Sequence, residues 1–290
     1  MQSADPDILC LQEITHSPDS GKDWLIYRDS DHVLNQRANL FRDIAAALPG
    51  HAGQFCPAAQ GVLWDGDRPV ASQWGLATFT RATLPVIGQA QGFVHKSFGA
   101  DGFGDHPRSR NAHCIRVWAR ARDRAVVVAH MHGLRDLNGK GDSPARPAQA
   151  GQFVTMIAGL SEVGDDVVAC GDFNVLPDSA SFEVLARLGL RDLVTGRGHA
   201  GTRSSLYPKP GRFADYMLVH DGVPVAGFDV VASPEISDHC PLVLDIATGQ
   251  ADAPVTIGRW GPRGPVTGQM KSAIRETTQK KSNGTRYDNG

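Results

Sequence analysis

The segment Ile236-Ser237-Asp238-His239-Cys240-Pro241-Leu242 decides how the rest of this sequence is interpreted. It places an acidic residue and a histidine side by side, directly before a short apolar run of strand character. A carboxylate beside a strand is usually only a turn residue or a helix cap. The segment becomes informative because two others of similar design precede it.

In both upstream segments an apolar run ends in a residue that can bind a hard cation or move a proton. Leu9-Cys10-Leu11-Gln12-Glu13 lies near the start, and Cys170-Gly171-Asp172-Phe173-Asn174 lies in the second half. Oxygen donors of this kind suit Mg²⁺ or Mn²⁺, and no Cys or His pair has the spacing of a zinc site. The predicted oxygen donors are Glu13, Asp172, Asn174 and Asp238.

Three histidines are candidates for acid-base chemistry. A histidine that acts as a base needs a partner to fix its tautomer, and Asp215 lies on an otherwise apolar strand where an unpaired carboxylate would be costly. We therefore expect Asp215 to pair with His239. His130 and His132 close the apolar run from Val126, and strand alternation puts both rings on one face. Because the other motifs are present in the same chain, we predict a catalytic role for His130 and, less clearly, for His132.

The composition is that of an ordinary globular protein. The 290 residues are 41% hydrophobic and 21% charged, and the longest apolar runs fall far short of the roughly 20 residues that span a bilayer. The first residues do not have the pattern expected of a secretory signal, and the five cysteines lie mostly in apolar strand-like runs. These features predict buried free thiols and a cytoplasmic protein without a membrane span.

The composition changes near residue 249 and divides the chain into a domain, 1–248, and a tail, 249–290. From Ala251 onward seven basic residues face three acidic ones, with few large apolar residues. The tail is predicted to be basic and disordered or loosely attached, and binding to an acidic partner is the alternative. The remaining body is acidic, which is evidence against a general nucleic-acid-binding protein. Net charge does not exclude a cleft that is locally basic.

Alternating helical and strand patterns fill the domain. Helices are predicted at about 32–48, at 147–160 and at about 179–188, and residues 114–120 and 125–131 predict a hairpin. Further strands are predicted at 8–13, 75–81, 167–174, 213–219, 228–232 and 241–246. Several turns are too short for a parallel crossover, so we expect two packed mixed sheets flanked by helices.

The ordered set of motifs resembles the endonuclease/exonuclease/phosphatase superfamily, also called DNase I-like. The motifs are Leu-Gln-Glu, a strand ending in His, Gly-Asp-Phe-Asn, Arg-Phe-x-Asp-Tyr and Ser-Asp-His-x-Pro-Leu, and the resemblance runs from about Asp7 to Ile246. It implies a four-layer α/β sandwich and divalent-metal-dependent hydrolysis of a phosphate ester, most often a phosphodiester. The substrate could be a nucleic acid, a nucleotide, a phospholipid or a sugar phosphate.

The resemblance also implies roles for residues near the metal and the attacking water. Glu13 would be the principal ligand of Mg²⁺ or Mn²⁺, with Asp238 beside the metal. Asp172 would position or deprotonate the water, and Asn174 would hold the water or the scissile phosphate.

The remaining implied roles concern the phosphate. His239, oriented by Asp215, would be the base or a phosphate contact, and His130 would stabilise the phosphate charge or assist the leaving group. Arg110, Asn111 and His132 are weaker candidates for substrate contact.

One departure concerns the first strand of the family, which normally carries an Asn that helps bind the metal. This sequence begins at the segment that should come second. Either the first strand lies upstream of Met1, or it is absent and the sheet has an unfilled edge. The second case motivates an alternative function, a binding or scaffold protein that keeps the fold without turnover.

Overall fold

The computed structural model describes residues 5–29 and 32–248, together with the backbone of 255–260. The strands are β1 Ile8–His16, β2 Trp24–Arg28, β3 Val33–Arg37, β4 His51–Asp65, β5 Arg68–Arg81, β6 Val86–His95, β7 Arg110–Ala119, β8 Arg124–His132, β9 Asp166–Asp172, β10 Leu190–Asp192, β11 Asp215–His220, β12 Val225–Val230, β13 Leu242–Ile246 and β14 Val255–Trp260. The helices are α1 Leu40–Ala47, α2 Ala145–Leu160, α3 Ser181–Ala186 and α4 Leu193–Gly196, with one 3₁₀ turn at Arg120–Arg122.

Two packed sheets confirm the expected four-layer α/β sandwich. The first has the order β12-β13-β14-β1-β5-β4-β2-β3, and the second has the order β10-β11-β9-β8-β7-β6. Helix α1 packs against β1 and β4 of the first sheet, and α2 packs against β6 and β7 of the second. Among the described helices, none is long and apolar enough to cross a bilayer.

Strand β8 shows why the second sheet is so apolar. It is covered by the first sheet on one face and by α2 on the other, so nearly every residue of Arg124–His132 is buried. Helix α2 lies in the connection between β8 and β9, and these two strands are parallel to each other. A parallel pair brings both carboxyl ends to the same edge of the sheet, where polar residues can face solvent.

Strand register assembles the site at that edge. His132, at the end of β8, lies opposite Asp172, at the end of β9. Asp172 in turn lies opposite Asp215, because β11 runs antiparallel to β9 and begins at this edge. Three chemical side chains from distant parts of the chain therefore occupy neighbouring strands.

The helix predicted at about 32–48 is wrong in its first half. Val33–Arg37 pairs with β2 as an antiparallel strand, so its backbone bonds are made across a hairpin. The helix starts only after Asn39, whose side chain accepts a hydrogen bond from the backbone N–H of Arg42. Its apolar face, including Phe41 and Ile44, then covers β1.

Part of the predicted tail forms a strand. The backbone of Val255–Trp260 lies between β13 and β1, antiparallel to the first and parallel to the second. Strand β1 therefore has a neighbour on both sides, and the unfilled edge that the sequence left open beside it is not found in the described structure. The rest of the predicted tail, 249–254 and 261–290, lies outside the described residues.

Candidate functional site

A cleft of about 650 Å³ opens where β1, β8 and β9 end. Its described lining contains most of the residues that the sequence singled out. These are Glu13, His132, Asp172, Asn174, Asp238 and His239, together with Arg110. Asp215 lies directly behind His239 and is fully buried.

The pair of His239 and Asp215 is confirmed in geometry. Nδ1 of His239 lies 2.9 and 2.8 Å from the two carboxylate oxygens of Asp215. A carboxylate only accepts, so Nδ1 carries the proton and Nε2 is left as an acceptor. Burial lowers the pKa of His239, and the nearby Asp172 carboxylate opposes this shift. Nε2 lies 3.7 Å from Asp172 Oδ2, so one water can contact both groups.

Two site residues adopt the left-handed backbone region that non-glycine residues rarely use. Glu13 has φ 59° and lies where the pairing of β1 with β5 shifts register, which is a bulge that re-aims its side chain. Asn174 has φ 54°, and its N–H donates to Asp172 Oδ1 at 2.9 Å. Its side-chain amide donates to the carbonyl of Gly133. Strained residues of this kind concentrate at functional sites.

The position before Asp172 requires a glycine, Gly171, because of its backbone angle and its closeness to β8. Its φ is 139°, and a Cβ there would stand 2.1 Å from the carbonyl oxygen of Met131 on β8. A larger residue would push β9 away from β8 at the position where the site is built.

The structure brings His132, and not His130, to the cleft. His130 is 1% exposed and lies between the sheets. Its Nδ1 lies 3.1 Å from Gln12 Nε2, and its Nε2 lies 2.8 Å from Thr78 Oγ1. His132 lines the cleft with its Nε2 3.8 Å from Asp172 Oδ2, and its ring stands 5.3 Å from that of Trp74. Both histidines share a strand face, as expected, but His130 is two residues deeper.

Glu13 and Asp238, the predicted metal residues, have different surroundings. Within the described chain, the acidic and histidine group whose ligand atoms all lie within 4.8 Å of one another is Asp172, Asp215 and His239. Glu13 lines the same cleft. Asp238 also lines it, but its Oδ2 accepts a 2.8 Å hydrogen bond from Nη1 of Arg203. The carboxylates of Glu13 and Asp172 and the amide oxygen of Asn174 are a donor set that fits a hard cation.

Arg110 has the environment of an anion-binding residue, and Asn111 does not. Arg110 is 3% exposed, and its Nε and Nη1 are buried without a hydrogen-bond partner among the described residues. Its guanidinium lies 5.1 Å from the ring centroid of Trp74. Burial lowers its pKa to about 10, against the opposing charges of Glu13 and Asp172. The Asn111 amide instead donates to the carbonyl of Cys56, outside the cleft lining.

Most basic residues of the cleft were not predicted from the sequence. The cationic side chains in its described lining are Arg108, Arg110, Arg135, Lys140, Arg146, Arg203 and Lys209. The acidic side chains there are Glu13, Asp136, Asp172 and Asp238. The cleft is therefore locally basic although the whole chain has a formal net charge of -2. Most of these cations lie on loops, where basic residues are usually solvated, so the residue pattern alone does not predict that they line the cleft.

This sequence was compared with models of protein families and with curated proteins. A sequence profile described as Endonuclease/Exonuclease/phosphatase family matches residues 1–239. A search of the curated proteins finds no match.

Solved structures share the fold at low sequence identity. An endonuclease/exonuclease/phosphatase from Bacteroides vulgatus has a TM-score of 0.56 at 19% identity, over 83% of this chain and 85% of that one. The human Nocturnin catalytic domain with bound sulfate has a TM-score of 0.54 at 20% identity, over 83% and 81%. D. rerio TDP2 complexed with a single-stranded DNA product has a TM-score of 0.55 at 14% identity, over 84% and 86%.

Proposed function

Because the chain belongs to the Endonuclease/Exonuclease/phosphatase family, we propose that its cleft hydrolyses a phosphate ester, with a phosphodiester as the favoured substrate. The single observation that carries the proposal is the contact of His239 with Asp215 on one side and its approach to Asp172 on the other. A histidine held in one tautomer beside a second carboxylate is an arrangement suited to activating water.

The proposed reaction begins with a water that contacts Asp172 and His239 Nε2. One of these groups takes a proton from the water as its oxygen attacks phosphorus. The ester P–O bond then breaks, and the leaving oxygen takes a proton from His132 or from solvent. Asp215 acts through His239 by holding the ring in the tautomer that leaves Nε2 able to accept.

Neighbouring residues supply positive charge and hydrogen bonds to the phosphate. Arg110 has two buried guanidinium nitrogens without a partner in the described structure and lines the cleft beside Trp74. A phosphate oxygen would satisfy such donors, which otherwise cost free energy. The amide of Asn174 is proposed to position the phosphate or the water.

We propose that Glu13, with Asp172 and Asn174, holds a divalent ion, Mg²⁺ or Mn²⁺. Such an ion neutralises phosphate charge and lowers the pKa of bound water. Asp238 is proposed to lie beside the ion and to be held in place by Arg203, with which it pairs.

The cellular location is proposed from the cysteines. All five are buried with free thiols, as predicted. This state is typical of a reducing compartment, so we propose the cytoplasm.

A substrate panel tests the function. It contains bis(4-nitrophenyl) phosphate, single- and double-stranded DNA, RNA, sphingomyelin and inositol phosphates, each with Mg²⁺ or Mn²⁺ and with EDTA. We expect metal-stimulated turnover of at least one ester. Asp172→Ala and His239→Ala should each lower kcat by about two to four orders of magnitude. No turnover with any member would favour the scaffold alternative, and unchanged turnover in both variants would refute the assigned roles.

A further inference from the structure

Lys140, Arg203 and Tyr207 form one wall of the cleft, which we call the Lys140 wall. The Lys140 ammonium lies 4.9 Å from the centroid of the Tyr207 ring, and the Arg203 guanidinium lies 4.5 Å from it. Two cations therefore share one aromatic ring. Each is attracted to the ring, but the two repel each other, so an anion bound at this wall would offset the repulsion.

The wall has donors that the protein does not satisfy. The Lys140 ammonium donates to the carbonyls of Gly211 and Phe213, which leaves one of its three N–H groups for a ligand. The Arg203 side chain is 8% exposed, and its Nε is buried without a hydrogen-bond partner in the described structure. A buried guanidinium N–H without a partner is costly, and an anionic ligand would satisfy it.

The charge on the wall points to a strong anion. Asp238 pairs with Arg203 and offsets only part of the positive charge. Burial and the charge of Arg203 lower the pKa of Lys140 to about 8, so the ammonium form gains from a nearby negative group. The scissile phosphate already has Arg110, His132 and Asn174 available to it. A phosphodiester with a single negative charge would leave the positive charge of the Lys140 wall without an anionic partner on the substrate.

We propose that the Lys140 wall binds a second phosphate of the substrate, so that the preferred substrates are phosphate esters that carry another phosphate near the one that is cut. This proposal rests on the proposed function for the reaction and concerns the lining residues Lys140, Arg203 and Tyr207. Arg203 is connected to the reacting groups through the Asp238 carboxylate, whereas Lys140 is held by backbone carbonyls of the loop before β11.

A matched pair of chromogenic esters tests the proposal. The pair is thymidine 5′-(4-nitrophenyl phosphate) and the same compound with a 3′-phosphate, and nitrophenolate release is followed in both. We expect kcat/KM to be about tenfold higher with the 3′-phosphate, mainly through KM. Lys140→Met and Arg203→Gln should each reduce this ratio toward one, and Lys140→Arg should keep most of it. Lys22→Met, at an exposed lysine outside the cleft lining, is the matched control and should leave the ratio unchanged.

A binding measurement separates this proposal from the proposed function. Calorimetry compares thymidine 3′,5′-bisphosphate with thymidine 5′-monophosphate and needs no turnover. Affinity about tenfold higher for the bisphosphate, lost in Lys140→Met, supports the Lys140 wall even if no ester is hydrolysed. Equal affinities in the unmodified protein overturn it even if both esters are hydrolysed. Thermal melting shows whether Lys140→Met is folded. If it is not, the same calorimetric comparison is made with Arg203→Gln, which should also lose the preference for the bisphosphate.

Discussion

His130 and His132 show how strongly the position of a residue along a strand controls its role. Their rings point to the same side of β8, but His130 meets Gln12 and Thr78 between the sheets, whereas His132 meets Asp172 in the cleft. A ring closed off by two hydrogen bonds is unsuited to exchange protons with a substrate. We therefore place His132 with the reacting groups and His130 with the buried polar contacts.

Replacing each histidine by Asn tests this distinction. His132→Asn should lower kcat by about two to three orders of magnitude with little change in melting temperature, because it removes a group next to the phosphate. His130→Asn should lower the free energy of unfolding by about 1–3 kcal/mol and leave kcat within a few-fold, because it disrupts buried hydrogen bonds. Steady-state kinetics and urea unfolding measure both effects. A His130 variant that folds normally but loses kcat would reverse the assignment.

We expect His113 to make the stability of the protein depend on pH. It is buried against Thr78, and burial lowers its pKa to about 4, whereas a histidine in an unfolded chain titrates near 6.5. Between these values the unfolded chain binds the extra proton, so stability falls as pH falls from about 6.5 toward 4. His113→Asn should reduce this slope by up to about 1.4 kcal/mol per pH unit. Urea unfolding between pH 7 and 4.5 measures it, and an unchanged slope would contradict the account.

Most of the candidate site could be predicted from single residues. Glu13 and Asp172 close apolar runs, Asn174 follows one and His239 directly precedes one, so their position at a sheet edge follows from the pattern. Asp215 could be paired with His239 because a lone carboxylate on an apolar strand needs a partner. The depth of His130 could not be predicted, because alternation gives the face of a strand but not the distance to the cleft.

At the scale of elements, local patterns predicted some structures and failed for others. Local pattern predicts the helix at 147–160 and the strands at 167–174 and 241–246. The first of these strands is a short apolar run that is buried throughout, and the second alternates buried and half-buried residues. Strand β3 was missed because its apolar residues continue with helical spacing into α1. Only its backbone pairing with β2 across a hairpin makes it a strand. The cationic loops of the cleft likewise depend on tertiary contacts.

Strand β14 is the element whose removal has the clearest expected effect. It hydrogen-bonds to β13 on one side and to β1, which carries Glu13, on the other. A chain that ends after Thr248 would leave both strands with unpaired backbone groups, so its melting temperature should fall by about 10 °C or more and it should aggregate.

A chain that ends after Trp260 retains β14 and is the matched control. Its melting temperature should stay close to that of the full chain in thermal unfolding with light scattering. Equal melting temperatures for the two truncated chains would show that β14 contributes nothing to the sheet.

At the scale of the whole molecule, the sequence placed the chain in the right fold but gave a misleading view of its charge. A formal net charge of -2 suggests weak attraction for polyanions, yet the cleft collects cations from several loops. Field lines concentrate in a cleft, so its local charge governs the encounter with a phosphate ester more than the sum over the surface. We therefore infer that residues from distant parts of the chain act together around this one cleft.

The most direct test of that claim is metal binding measured together with catalysis. Metal-free protein is titrated with Mn²⁺ in a calorimeter, and the same samples are assayed with bis(4-nitrophenyl) phosphate. We predict binding with parallel gain of activity, weakened about tenfold or more in Glu13→Gln. Asp67→Asn, at an exposed carboxylate outside the cleft lining, should behave like the unmodified protein. Full hydrolysis in EDTA, or unchanged Mn²⁺ affinity in Glu13→Gln, would contradict the account.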